Sequence, residues 1–134
     1  MTNKPHNRIY ADERGQTATE FALVLPLFCL VLFGIIQFGI IFNNYVTLTD
    51  AVRAGARTAV VSRHEANPAG KAVARVENAA NGLDLADLDV NVSASAWEHG
   101  ADVTVEASYP YEVNLLGLVV ASGDLSSSTT ERIE

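Results

Sequence analysis

The sequence predicts an α+β fold, in which a long N-terminal transmembrane helix extends into a small domain with a second helix and an antiparallel sheet of about three strands. Three observations support this prediction. Residues 21–42 form an apolar run without a charge, and a helical pattern continues beyond it to about Arg63. After about residue 87 the apolar residues recur with a period of two, which is typical of strands. The chain of 134 residues is long enough for one small domain and an anchor.

The uncharged run is long enough to cross a bilayer. Phe21 to Phe42 is 22 residues, or about 33 Å of helix against a hydrocarbon core of about 30 Å. The remaining chain is too short to surround a helix that is apolar on every side. The run also ends in bulky residues, unlike the small-residue cleavage site of an ordinary secretory signal. Its one cysteine, Cys29, has no partner for an intrachain disulfide.

Charge is distributed unevenly along the chain. Residues 1–63 have six Lys or Arg and four Asp or Glu, net +2, whereas residues 64–134 have three and twelve, net −9, which together give −7. The acidic distal part argues against a nucleic-acid partner, which needs a basic face. Positive charges before and after the run nearly balance. The short basic leader and the acidic distal part favour a cytoplasmic N-terminus and an extracytoplasmic domain.

Small residues and a proline mark two parts of the long helix. Within the run, Pro26 is expected to kink or loosen the helix, and the glycines let another helix approach closely. This is either ordinary membrane-helix composition or a segment that packs against copies or partners. Beyond the membrane, small residues four apart share one face, which packs either on the chain's own domain or on another element. The two sets are Pro26, Gly34 and Gly39, and Ala51, Gly55 and Ala59.

The distal part begins with a second helix and continues with strands. Asn67 and Pro68 are typical of a helix start, and Asn81-Gly82 of a stop. Residues 88–96 and 101–109 alternate apolar and polar residues around a turn at 98–100, which predicts a hairpin. Residues 125–134 are consistent with a last strand.

Residues 110–124 are predicted to form a loop with an apolar tip. This tip is either part of the core, which is the interpretation we favour, or a contact surface for a partner. Its residues are Leu115, Leu116, Leu118, Val119 and Val120.

No enzymatic motif is present in the sequence, so we expect neither catalysis nor a small-molecule substrate or cofactor. The three histidines are scattered, and neither a phosphate-binding loop nor a zinc helix appears. Asp84, Asp87 and Asp89 lack the spacing of a calcium-binding EF-hand loop. A solvated acidic loop is the interpretation that we favour, with calcium binding as the alternative.

The stretch before the run contains a glycine and, five residues later, a carboxylate. Glu20 is either a solvated acid favoured by the helix dipole, or the partner of a new amine created by cleavage after Gly15. In the second case Gln16 becomes the N-terminus, and Glu20 lies one helical turn from its amine. Because an unpaired charge is unfavourable in an apolar bundle, such pairing would set the stagger of adjacent helices.

A basic leader that ends in Gly15, a glutamate five residues later and an apolar helix after it resemble the class III signal of type IV pilins. More narrowly, "RGQTATEFALVLPLF" and "DAVRAGARTAVV" are similar to the TadE-like family of tight-adherence (Tad) pilus systems, with a resemblance that covers about residues 14–63. The ending "SSSTTERIE" also resembles the C-terminal strand of that family. The resemblance implies a pilin-like fold and a minor pilin or pseudopilin of the cytoplasmic (inner) membrane. A prepilin peptidase would cut the Gly15–Gln16 bond, and other pilins and the Tad assembly platform would be partners.

The family pattern divides the chain into four segments. They are a basic leader at 1–15, a transmembrane helix at 16–43, its extramembrane continuation at 44–66 and an extracytoplasmic α+β domain at 67–134. Major pilins of this system often have Tyr after the glutamate, whereas this chain has Phe21. That departure and the greater length favour a minor pilin. The competing hypothesis is an uncleaved single-pass anchor that displays the small domain in the envelope.

Overall fold

A computed structural model describes residues 9–115 and 117–134, with side chains from residue 15 onward. Helix α1 spans Ile9–Val61 and helix α2 spans Pro68–Ala79. The strands are β1 (Asp89–Ala94), β2 (Asp102–Leu115) and β3 (Leu118–Arg132), which form one antiparallel sheet in the order β1-β2-β3. The predicted α+β fold is therefore confirmed. The leader residues 1–8 and the predicted tip residue Leu116 lie outside the described residues.

Helix α1 begins earlier than the sequence suggested. We expected a leader at residues 1–15 and a helix from residue 16, but the helix already includes residues 9–14. Those residues contain neither proline nor glycine, so their sequence is compatible with a helix. A single glycine at position 15 lowers helix stability by only about 1 kcal/mol, so it does not end the helix.

The chain divides into two compact units, Met1–Ile36 and Gln37–Glu134. In the first unit, every described side chain from residue 15 to residue 36 is exposed, although most of them are apolar. Helix α1 continues through Pro26 without interruption. The second unit begins inside the uncharged run, five residues before Phe42, and contains the whole sheet and α2.

The core of the second unit lies between the distal part of α1, α2 and one face of the sheet. Side chains of α1 alternate with the helical period, from Leu48 onward, between buried and exposed positions. Helix α2 contributes its Ala72 and Val76 face, and β2 contributes alternate residues. The fully buried members are Leu48, Ala51, Val52, Ala56, Ala59, Ala72, Val76, Val103 and Val105.

Local signals position α2 and the first hairpin as predicted. The Asn67 side chain accepts a hydrogen bond from the Gly70 backbone N–H at 2.9 Å, and Pro68 occupies the first turn. Strand β1 pairs with β2 from Asp89↔Ser108 to Ala94↔Val103. In the connection between them Gly100 has φ +88°, a conformation that glycine adopts without strain.

The expected loop at residues 110–124 was wrong, because this segment is the outer half of a long β2–β3 hairpin. Pairing runs from Asp102↔Arg132 to Leu115↔Leu118, with a bulge at Val113/Asn114. Pro110 is tolerated because β1 begins only at Asp89, opposite Ser108, so that β2 has one neighbouring strand at Pro110. Of the described residues, Gly117 lies between the two strands, with φ +90°.

The apolar tip of this hairpin is not part of the core, contrary to the interpretation we favoured. The relative exposures of Leu118, Val119 and Val120 are 72%, 53% and 59%. These residues follow the connection at the end of the hairpin, and no other described element covers them. The exposed tip therefore remains available for contact with another surface.

Candidate functional site

The predicted cleavage site lies on an exposed turn of α1. The carbonyl of Gly15 accepts a hydrogen bond from Thr19 Oγ1 at 2.9 Å. One residue later, Gln16 Nε2 donates to Glu20 Oε1 at 3.1 Å. In each pair the two residues are four positions apart, so they lie one helical turn from each other on the same side of the helix.

This geometry is compatible with the register role predicted for Glu20. Its carboxylate reaches back toward residue 16, where cleavage would create an amine. The Gly15–Gln16 bond is helical here, and a peptidase needs an extended backbone at the bond that it cuts. Cleavage would therefore require α1 to unwind at this bond, and the side chains from Gln16 to Glu20 are exposed.

Phe21 lies on an apolar stripe at the start of the uncharged run. With Val24, Leu25 and Phe28 it lines a shallow hollow of about 250 Å³. These residues are spaced i, i+3, i+4 and i+7, so they share one face of the helix. The stripe offers an apolar surface for lipid or for another helix.

The small residues within the run are open to their surroundings. Cβ atoms built at Gly34 and Gly39 would find no described atom within 4 Å. Cys29 is likewise exposed. The surface at these positions is therefore unoccupied by any described part of the chain, and close approach of another helix is sterically possible there.

The other predicted packing set lies inside the domain. Ala51 and Ala59 have no exposed surface. A Cβ at Gly55 would overlap Val76 Cγ2, and it would stand 3.2 Å from the carbonyl oxygen of Ala72. These three residues thus let α1 approach α2 closely within the same chain. Sequence alone left open whether their face meets the chain's own domain or another element.

One contact that sequence reasoning missed joins α1 to the hairpin tip. Gln37 Nε2 donates to the backbone carbonyl of Asn114 at 3.2 Å, across 77 positions in the sequence. Gln37, Ile41 and Asn44 are partly buried while their neighbours are exposed, which marks the face of α1 that the hairpin covers. The sequence held one signal for this contact, namely Gln37, which is the one strongly polar side chain in the uncharged run.

A second feature that was not predicted is a basic hollow between α1 and α2. Arg53 and Arg57 on α1 and Arg75 on α2 line a space of about 380 Å³. Arg53 also lies 3.6 Å from Asp50, in an exposed ion pair. Exposed pairs of this kind contribute little to stability, so the hollow is a positively charged surface feature rather than a structural brace.

The acidic loop before β1 has no metal-site geometry in the described part of the chain, where no three His, Cys, Asp or Glu side chains converge. Asp84 instead organises its own turn. Its Oδ1 accepts from the Ala86 N–H at 3.0 Å, and its N–H donates to the Tyr109 hydroxyl at 3.3 Å. The calcium alternative for Asp84, Asp87 and Asp89 therefore gains no support from the structure.

Among the described residues, one helix is long and apolar enough to cross a membrane. It is the part of α1 from Gly15 to Val61, and none of its most apolar window is buried. A helix that is exposed and apolar on every side is expected in lipid rather than in water. This N-terminal helix indicates single-pass membrane anchoring.

Comparison with known proteins identifies the same part of the chain. A family model described as TadE, TadE-like protein, matches residues 15–57. No curated protein and no solved structure matches the chain significantly. The matched segment begins at Gly15 and includes Glu20, the uncharged run and the buried Ala51–Gly55 face. Over residues 15–57, about a third of its length, the chain is similar to the TadE-like family.

Proposed function

We propose that this protein is a minor pilin or pseudopilin of a Tad-type pilus, cleaved after Gly15 by a prepilin peptidase and contributing to pilus assembly and adhesion. The observation that carries the proposal is the TadE-like match at residues 15–57. It indicates a Tad pilus-related, minor pilin-like protein. Cleavage after Gly15, a place in the pilus and a role in adhesion are our proposals in addition to that match.

The geometry of the first unit supports assembly through α1. Its described side chains are exposed and mostly apolar, and its glycines have open space around them. After cleavage, the carboxylate of Glu20 would pair with the Gln16 amine of its own or a neighbouring helix. In a water-poor bundle this pairing favours one stagger over others, because any other stagger leaves two charges unpaired.

The proposed topology has the N-terminus in the cytoplasm, α1 across the inner membrane and the α+β domain outside. The partners are the membrane, the prepilin peptidase, other pilins and the Tad assembly platform. We propose a structural role rather than an enzymatic one. The acidic residues 64–134, with twelve Asp or Glu and three Lys or Arg, suit a domain that projects into water and does not bind nucleic acid.

The second candidate is an uncleaved single-pass anchor that displays the same domain. One observation favours it, namely that α1 begins at Ile9 and includes the Gly15–Gln16 bond in regular helix. A helical bond resists proteolysis until it unwinds. In this candidate the Gln16–Glu20 hydrogen bond is an ordinary contact at the helix surface.

Cleavage and assembly are tested separately by two substitutions in the native host. Gly15→Leu places a bulky side chain at the scissile bond, and the protein should then keep its full length in immunoblots. Gly15→Ala is the matched control, since it also removes the glycine but adds only a methyl group. If the Gly15→Leu protein is shortened like the wild type, cleavage after Gly15 is excluded.

Glu20→Gln tests the register role because it removes the charge and keeps the size of the side chain. We expect normal cleavage but loss of the protein from sheared pili. Glu20→Asp keeps the charge and should retain most of the assembly. Equal amounts of the wild-type and Glu20→Gln proteins in the sheared fraction would contradict the role of Glu20.

A further inference from the structure

We infer that the tip of the β2–β3 hairpin is a second membrane contact of this protein, and that Leu118, Val119 and Val120 insert shallowly into the lipid on the extracytoplasmic side, next to α1. The inference rests on the membrane anchoring by α1 that is part of the proposed function. It concerns the sheet domain, to which neither the TadE-like match at residues 15–57 nor the helical anchor assigns a membrane role.

The first step is the level of the tip along α1. Gln37 donates to the Asn114 carbonyl at 3.2 Å, which holds the end of the hairpin beside residue 37. Gln37 lies within the uncharged run, five residues before its last apolar residue, Phe42. Five residues are about 7–8 Å of helix. The tip therefore lies beside a part of the helix that is itself apolar and belongs in lipid.

The second step is the chemistry of the tip. Between Glu112 and Asp124 the chain has no charged residue. Leu118, Val119 and Val120 are each more than half exposed, and a projecting apolar end of this kind is unfavourable in water. On the same unit, Phe38 and Phe42 of α1 are also exposed, so that the apolar surface of the helix continues onto the hairpin.

The third step concerns polar groups, because unpaired backbone groups are strongly unfavourable in hydrocarbon. Two hydrogen bonds at the tip involve Asn114. The Asn114 side-chain oxygen accepts from the Gly117 N–H at 2.9 Å, which closes the turn, and the Asn114 carbonyl accepts from Gln37. The same bond gives the Gln37 amide a partner that it would otherwise lack beside lipid.

The depth is limited by the residues that bound the tip. Glu112 and Asp124 are the nearest charges on the two strands, and Tyr45, which is partly exposed, follows the uncharged run on α1. Tyrosine is enriched at the boundary between membrane and water, and carboxylates remain on the water side. The insertion is therefore limited to the end of the hairpin that lies between these two charges.

Fluorescence quenching in vesicles tests the inference with the full chain. The native Cys29 is the only cysteine, so a probe attached to it reports whether α1 is in the bilayer. In a Cys29→Ala background, Leu118→Cys carries the probe at the tip. Ser128→Cys is the matched control, because Ser128 is also exposed on β3 but pairs with Glu106 far from the tip.

The three variants are reconstituted in phosphatidylcholine vesicles with a nitroxide lipid, labelled near the headgroup for the probes at positions 118 and 128 and in the acyl chain for the Cys29 probe. Iodide is then added to the buffer. We expect loss of fluorescence from the position 118 probe with the nitroxide lipid but not with iodide. The position 128 probe should respond in the opposite way.

Quenching of the Cys29 probe by the nitroxide lipid shows that α1 is anchored in the bilayer. Given that result, two outcomes at the tip would overturn the inference. In the first, iodide quenches the tip probe and the nitroxide lipid does not, so the tip lies in water. In the second, neither quencher reaches the tip probe, so protein rather than lipid covers it, such as the helix of a second copy. If iodide instead quenches the Cys29 probe, α1 lies in water. That result would overturn the membrane anchoring and the inference that rests on it.

Discussion

The two parts of α1 use similar residues in opposite ways. From Gly15 to Ile36 the described side chains of the helix are exposed, although most are apolar. From Leu48 to Ala59 small and aliphatic residues are buried against α2 and β2. Glycine makes the contrast clear, because Gly34 and Gly39 have open space around them whereas Gly55 has none for a methyl group. An apolar sequence therefore does not reveal by itself whether its contacts lie within the chain or outside it.

The largest expected effect comes from shortening a buried aliphatic side chain of α1. Leu48→Ala removes a fully buried side chain and should lower the free energy of unfolding of the domain by about 2–5 kcal/mol. Thermal unfolding of the full chain in detergent micelles, followed by circular dichroism, measures the change. Leu30→Ala is the control, since Leu30 is half exposed and lies in the other part of the helix. Equal effects of the two substitutions would remove the distinction between these parts.

A smaller effect is expected from adding one methyl group where α1 and α2 meet. Gly55→Ala would place its Cβ against Val76 Cγ2 and 3.2 Å from the Ala72 carbonyl oxygen, so one of the helices must shift. Overpacking of this kind lowers the free energy of unfolding by about 1–3 kcal/mol. Gly39→Ala, which meets no described atom within 4 Å, should not destabilise the domain. A Gly55→Ala protein that is as stable as the Gly39→Ala protein would contradict the close packing.

The hydrogen bond between the hairpin tip and α1 should contribute less than either core contact. Gln37→Leu removes the donor to Asn114, and loss of one such bond lowers the free energy of unfolding by about 0.5–1.5 kcal/mol. The same unfolding measurement in micelles applies, with Ile40→Leu as a control at an exposed position nearby. An unchanged unfolding temperature for Gln37→Leu would indicate that this bond does not hold the tip.

The smallest effect on domain stability is expected at the other end of α1. Glu20 is exposed and its bond to Gln16 lies outside the sheet domain, so Glu20→Gln should leave unfolding of the domain unchanged. Its effect should appear only in pilus assembly. A clear loss of domain stability in this variant would mean that Glu20 acts through folding rather than through contacts between helices.

The sequence predicted the elements whose signals are local. The Asn67-Pro68 helix start and the alternation in β1 and the first half of β2 each follow from neighbouring residues, and both were confirmed. The hairpin tip was mistaken for a loop, in a segment where Pro110, Gly117 and Gly123 interrupt the alternation of apolar and polar residues. Only Gly117 turns the chain, and Gly123 instead lies under the ring of Tyr111, which pairs with it across the strands.

The contacts between distant parts of the chain could not be predicted in this way. Gln37 and Asn114 are 77 positions apart, and no local pattern links a polar residue in an apolar helix to a strand that was not expected. The face of Ala51, Gly55 and Ala59 was evident from its spacing. The identity of its partner depended on the position of α2, which only the three-dimensional structure provides.

The most direct test of the proposed function is the N-terminus of the mature protein. The protein is isolated from the membranes and the sheared surface fraction of its native host, and its N-terminal peptide is identified by mass spectrometry. We predict a chain that begins at Gln16. A chain that begins at Met1 or Thr2 would contradict prepilin-type cleavage and leave an uncleaved membrane anchor, in which the Glu20 carboxylate has no new amine to pair with.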